Sequence, residues 1–168
     1  MNKLYVITGP AGVGKSTVSN ELGKKLKKSV VIDGDVIYNF FVGGRIKPWY
    51  SNAPLELFWD NCCYLIESYL KNEYDVVFNY IIYNEELKLI KKRFDEYDII
   101  FKCLLADEDT LLKRDLLRQI DFQMHERCIV LLKEFIECNY GDKNIIDSSN
   151  LTIEETVNEI LLSNNIHI

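Results

Sequence analysis

The 168-residue chain has no apolar run of transmembrane length, no C-x-x-C pair, no internal repeat and no low-complexity tract. The first absence leaves no candidate membrane span, so no membrane partner is expected. The cysteines (Cys62, Cys63, Cys103, Cys128 and Cys138) are odd in number, and none sits in a Cys/His cluster of zinc spacing. They read as small buried hydrophobes in a reducing compartment. Histidine is scarce: His125 and His167 stand alone, and neither has partners suggesting a catalytic triad or a metal site. Positive charge is in deficit, with 20 Lys and Arg against 26 Asp and Glu and a net charge of −6. That balance argues against a long polyanion such as DNA or RNA, while leaving room for a local basic pocket that takes a small anion. With no linker in sight, residues 1–168 fit one domain. The chain enters an apolar strand at once, with no charged region, apolar region and cleavage site before it, so a cytoplasmic location is expected.

What is present begins with Gly9-Pro10-Ala11-Gly12-Val13-Gly14-Lys15-Ser16, which fits the phosphate-cradling P-loop pattern G-x-x-x-x-G-K-[ST]. Its context fits too. Leu4-Tyr5-Val6-Ile7 before it is a short apolar run suited to a strand buried on both faces. After it, Val18, Leu22 and Leu26 are spaced for a helix, with Lys24, Lys25, Lys27 and Lys28 in the last turn, where the helix end is negative. Gly9, Gly12 and Gly14 permit backbone angles and a close phosphate approach that a Cβ would obstruct. Backbone N–H groups of the loop, from Gly9 through Ser16 and Thr17, then form an anion nest on the positive helix end. Lys15 supplies a mobile charge for the β- and γ-phosphates, and the Ser16 hydroxyl suits Mg²⁺.

Four further strands follow by the same reading. Ser29–Ile32 runs into Asp33-Gly34-Asp35, Asp75–Tyr80 ends near Asn79, Ile99–Leu105 precedes the acidic start Asp107-Glu108-Asp109, and Asn144–Ile146 leads into Asp147-Ser148-Ser149-Asn150. Helices alternate with them. Leu55–Leu70 is a long one whose aromatics read as core, Leu87, Ile90 and Phe94 mark another, and Thr152 caps the last with Glu155 at capping-box spacing. The alternation implies an α/β fold with a parallel sheet, right-handed crossovers and helices on both faces. Ligands in such sheets gather beyond the carboxyl ends of the strands, which places Asp33, Asp35 and Asn79 on the P-loop's edge. Asp33 is then a candidate base and Mg²⁺ ligand, and Asp35 a substrate ligand or simply the cap of the next helix. The segment from Phe41 to Tyr50 holds two glycines, a proline, Arg45 and Trp49, and reads as a pocket-shaping loop or as a plain connection. Arg114, Arg118 and Arg127 flank a break at Ile120-Asp121-Phe122-Gln123, an arrangement suited to a lid over phosphates at about 114–127. The alternative is surface ion pairs with Asp115, Asp121 or Glu126.

On these motifs the chain resembles the small P-loop kinase family, which includes gluconate kinase, shikimate kinase, adenylylsulfate kinase and chloramphenicol phosphotransferase. The loop from Val42 to Trp49 is similar to one in members known only as kinases or ATP-binding proteins. The resemblance implies a P-loop NTPase fold, a three-layer α/β/α arrangement whose five-stranded sheet runs 2-3-1-4-5, with a short helical lid. Val31-Ile32-Asp33-Gly34-Asp35 is similar to the segment where the family's acidic residues bind substrate hydroxyls, hold Mg²⁺ or act as base. Lys113-Arg114-Asp115-Leu116-Leu117-Arg118 is similar to its lid motif, where the first arginine lies against adenine and the second reaches phosphates. Ile145-Ile146-Asp147-Ser148-Ser149 is similar to its last-strand segment, which borders adenine. Asn79 departs from the pattern, because strand three of such kinases often ends in aspartate, and a neutral amide is no base and a weak metal ligand.

The resulting expectation is an enzyme using ATP and Mg²⁺ to phosphorylate a hydroxyl of a small molecule: a sugar acid, a nucleoside or an antibiotic-like alcohol. Lys15, Asp33, Arg114 and Arg118 carry the chemistry, Arg114 and Asp147 border the nucleotide, and Asp35, Arg45, Trp49, Asn79 and Arg127 hold the acceptor. Ser16 and Asp33 serve the metal. The competing class is a nucleotide-binding regulatory protein with weak or no ATPase activity. A GTPase would want an N-K-x-D motif, which is absent, and a polynucleotide kinase is disfavoured by the acidic charge.

Overall fold

The computed structural model describes residues 2–120 and 123–163; Asp121, Phe122 and His167, named above, lie outside the described residues. Strands β1 (Lys3–Thr8), β2 (Ser29–Asp33), β3 (Asp75–Asn79), β4 (Asp98–Leu105) and β5 (Ile145–Asp147) form one parallel sheet in the order β2-β3-β1-β4-β5. This is the P-loop NTPase arrangement, α/β with helices on both faces.

Alternation along each strand explains the layers. On β1, Leu4 and Val6 point to one face and Tyr5 and Ile7 to the other, and all four are buried. The first face packs on α2 (Gly34–Tyr38), α3 (Leu55–Lys71) and α4 (Asn84–Arg93), through Tyr38, Phe58, Ile66, Leu87 and Ile90. The second packs on α1 (Lys15–Lys25), α5 (Glu108–Leu116), α6 (Arg127–Glu137) and α7 (Ile153–Leu162), through Val18, Leu22, Leu111, Leu131 and Val157. A strand covered on both sides must be apolar throughout, which is why these read as continuous apolar runs.

Several boundaries differ from the sequence reading. Helix α1 stops at Lys25, because Leu26 turns to extended backbone, so Lys27 and Lys28 lie beyond it. β5 begins one residue later than expected, at Ile145, and takes in Asp147. The aromatics of α3 divide: Phe58 is fully buried, whereas Tyr64 is 63% exposed and lies under the guanidinium of Arg93. The helix period puts Tyr64 on the wet side, where its ring still gains a cation contact. Cys62, Cys63, Cys103 and Cys128 are buried and Cys138 is half-buried. Burial pushes the Cys62 and Cys103 thiols up to about 12, which keeps them protonated and unreactive. Among the described residues no helix is long and apolar enough to cross a membrane.

Candidate active site

The site is built where β1, β2 and β3 end side by side. In the ladder Asn79 lies opposite both Ile7 and Asp33, so the carboxyl ends of β3 and β2 lie in turn to one side of the chain as it leaves β1 for the P-loop. Gly9, Gly12 and Gly14 all adopt positive φ, at 141°, 81° and 101°. Gly9 is the most constrained, since a Cβ there would sit 2.2 Å from the Leu104 carbonyl oxygen. Gly9→Ala is therefore expected to displace the loop and weaken nucleotide binding about tenfold, the scale of storing 1–3 kcal/mol of backbone strain. Titration with a fluorescent ATP analogue checks this. Ala11 and Val13 anchor the loop from below in the core beside Leu104 and Leu111.

Helix α1 starts from Gly14 with no side chain capping it. Its first-turn amides, from Lys15, Ser16 and the exposed Thr17, thus face the loop as an anion nest. The Lys15 ammonium donates back to the carbonyls of Gly9 at 2.9 Å and Pro10 at 3.0 Å. Desolvation lowers its pKa below the usual lysine range, against the pull of Asp35.

Ser16 Oγ donates to Asp33 Oδ2 at 2.6 Å, with Asn79 Oδ1 at 3.4 Å. The other Asp33 oxygen accepts from the Asp35 N–H at 2.9 Å, so Asp33, not Asp35, caps α2. Asn79 is 1% exposed and its Nδ2 has no partner among the described residues. The Asp35 carboxylate makes no hydrogen bond among the described residues. Desolvation raises its pKa, with Asp33 adding to the rise and Lys15, Arg118 and Arg45 opposing it. Asp35 is nonetheless surface-exposed, so water screens much of that effect. Among the described residues there is no group of three metal-ligating carboxylates, cysteines or histidines. The adjacent oxygens of Ser16 and Asp33 still suit Mg²⁺, a hard cation that keeps several waters and takes one or two protein oxygens plus phosphate.

The arginines are placed differently from one another. Arg114 donates to the Val13 carbonyl at 3.2 Å, Ser148 Oγ at 3.1 Å and the Ser148 carbonyl at 2.8 Å. It therefore clips the P-loop to the segment after β5. Asp147, the last residue of β5, accepts from the Ser149 N–H at 3.0 Å. Arg118 lies 3.3 Å from Asp115, and its charge bears on both Lys15 and Asp35. Arg127 stands apart, 3.9 Å from Glu134, in a cleft it shares with Trp49. The acceptor set thus falls into two groups: Asp35, Arg45 and Asn79 associate with the P-loop edge, and Trp49 and Arg127 with the cleft.

Two residues of the site escaped sequence reasoning. Asp115 is 1% exposed and accepts from the Met124 and His125 N–H groups, both at 2.8 Å, as well as from Arg118. It is a buried anchor that ties the end of α5 to the turn before α6, not half of a surface pair. The only signal was its place between Arg114 and Arg118, which suits a surface partner equally well. Ser148 is 3% exposed, and its Oγ donates to the Leu105 carbonyl at 3.0 Å; nothing in a Ser-Ser pair distinguishes it from its neighbour.

The same architecture occurs in solved kinase structures. A gluconokinase from Sinorhizobium meliloti aligns with a TM-score of 0.72 at 18% identity, over 96% of this chain and 90% of that one. The chain has the P-loop kinase fold. The tunicamycin resistance protein of Deinococcus radiodurans aligns at 0.68 and 18% identity, over 98% of this chain and 96% of that one. A sugar kinase from Janibacter aligns at 0.69 and 12% identity, over 99% and 96%. No protein-family model and no curated protein matches the chain. At these identities the P-loop kinase fold is what is shared, and the chemistry rests on the residues described above.

Proposed function

We propose that this protein is a cytoplasmic phosphotransferase that uses ATP and Mg²⁺ to phosphorylate a hydroxyl of a small molecule. The observation carrying this reading is the convergence of Lys15, Ser16, Asp33 and Asn79 at one sheet edge, with Ser16 and Asp33 2.6 Å apart. Phosphoryl transfer needs chiefly positioning and charge stabilisation, and these groups supply both. The P-loop amides and Lys15 hold the phosphates, and Ser16 and Asp33 would hold Mg²⁺, which neutralises charge on the phosphates when bound. Arg114, fixed between Val13 and Ser148, walls the adenine side with Asp147. Arg118 turns to the transferred group as the segment over 114–127 closes as a lid.

Of the two aspartates, Asp35 suits the base. Both Asp33 oxygens are already engaged, by Ser16 and by the Asp35 N–H, whereas the Asp35 carboxylate makes no hydrogen bond among the described residues and burial shifts its pKa upward, an effect that water moderates. Asp35→Asn is expected to lower kcat about 10²-fold with the ATP affinity unchanged. Asp33→Asn is expected instead to raise the Mg²⁺ concentration needed for half-maximal rate. Equal loss of turnover at saturating Mg²⁺ in both variants would reverse the assignment.

The function itself is tested by an ATP-consumption screen over sugars, sugar acids, nucleosides and antibiotic-like alcohols. Asn79 favours a second reading, a nucleotide-binding regulatory protein, because it puts a neutral amide where a metal-binding carboxylate would serve catalysis. ATP binding with no transfer to any acceptor in that screen would establish it over the kinase.

A further inference from the structure

An open cleft of about 570 Å³ lies between the loop after α2, the start of α4 and helix α6, lined by Trp49, Tyr83, Asn84, Arg127, Glu134 and Glu137. That volume is in the range of small-ligand sites. Its lining residue Tyr83 follows Ile82 in the chain, and the buried Ile82 N–H donates to Thr8 Oγ at 2.9 Å, immediately before Gly9.

The charges of the cleft are uneven. Its cation, Arg127, faces Glu134 at 3.9 Å, and the Tyr83 hydroxyl donates to the same carboxylate at 2.5 Å. Glu137 is exposed and has no ion pair among the described residues. Asn84 spends its Nδ2 on the Cys138 carbonyl at 2.9 Å, which leaves its Oδ1 as an acceptor. The lining therefore holds two carboxylates against one cation that is already partnered. Its aromatic surfaces are Trp49, 51% exposed, and Tyr83, whose ring is stacked on Phe135 at 5.4 Å. Carboxylates beside aromatic faces favour a cation and repel an anion.

We infer that this cleft binds the acceptor, and that the acceptor is a hydroxylated ring bearing a protonated amine, an amino sugar in chemical class, rather than a sugar acid or phosphate ester. This rests on the phosphotransferase reading above. Trp49 and Tyr83 pack on the ring, Glu137 and Glu134 receive the ammonium, and Asn84 Oδ1 accepts from a hydroxyl. In the transfer, the acceptor hydroxyl gives its proton to Asp35 as its oxygen bonds the γ-phosphorus. The bond from that phosphorus to the β–γ bridging oxygen breaks, and ADP leaves.

Glucose, glucosamine and gluconate share a skeleton and differ in charge, and kanamycin A is a larger amine-bearing glycoside. Calorimetric titration of the full chain, loaded with a non-hydrolysable ATP analogue, compares them. The expected result is binding of the amines about tenfold tighter than glucose, with gluconate weakest, and a preference that shrinks as salt rises. Glu137→Gln should shrink the preference of the amines over glucose, with the Glu134 carboxylate still in place. Gluconate binding as tightly as glucosamine, no saturable binding of either amine, or an unaltered preference in Glu137→Gln each overturns the inference. ATP consumption separates the two readings. Turnover with gluconate keeps the kinase and overturns the amine assignment. Amine binding without turnover supports the ligand class and overturns the kinase.

Discussion

Lys15→Ala is expected to lower phosphoryl transfer about 10³-fold, the upper end of what one preorganised charge at a reacting group contributes. The loss should be chemical and not structural. The Lys15 ammonium is held by two carbonyls of its own loop, but its charged form is disfavoured there by desolvation. Removing it gives up two hydrogen bonds and relieves a desolvation cost, opposing effects that leave the melting temperature nearly unchanged. ATP-consumption rates at saturating ATP, beside a thermal melt, read the two quantities separately. Turnover within a few-fold of wild type would remove Lys15 from the chemistry, and a collapse of the melt would reassign it to the fold.

The largest expected stability effect belongs to Asp115. Its carboxylate accepts from the Met124 and His125 N–H groups and from Arg118. Asp115→Ala leaves two backbone donors without an acceptor, which costs about 2–4 kcal/mol. Arg118 is 37% exposed and rehydrates, so it adds little. Asp115→Asn keeps one acceptor oxygen and should cost less. The pH dependence has a definite sign. Burial raises the Asp115 pKa, but the His125 and Met124 N–H groups and Arg118 outweigh it and hold the carboxyl below its ordinary 3.8. A depressed carboxylate pKa contributes stability that is present above the unfolded value and lost as pH falls through the folded one. Denaturant titrations from neutral pH down past that range should therefore show a larger decline in the wild type than in Asp115→Asn, where Asp107 and Glu155 still contribute. A decline of equal size in both would exclude Asp115 as its source. Because the anchor also sets the turn between α5 and α6, Asp115→Ala should impair lid closure and lower turnover along with stability.

The chain determined by itself whatever is written in short-range pattern. Apolar runs without alternation marked strands covered on both faces, and the glycines of the P-loop marked a turn that a Cβ would block. Asp33, Asp35 and Asn79 fell at strand ends because ligands collect there in any parallel sheet. That the sheet runs β2-β3-β1-β4-β5 was implied by resemblance and not by spacing, since crossover helices of similar length serve several orders. Which aspartate caps α2, how far Arg114 reaches, and that Asp115 is buried were decided by tertiary structure. The placing of Asp33 and the reach of Arg114 depend on contacts between residues far apart in sequence: Ser16 with Asp33, Arg114 with Val13 and Ser148. The grouping of Trp49 with Tyr83 and Arg127 in one cleft likewise exists only after three separate connections are folded onto one edge. Local sequence specifies periodicity and turn chemistry, whereas the environment that sets a charge's partners and desolvation is assembled only by the packed fold.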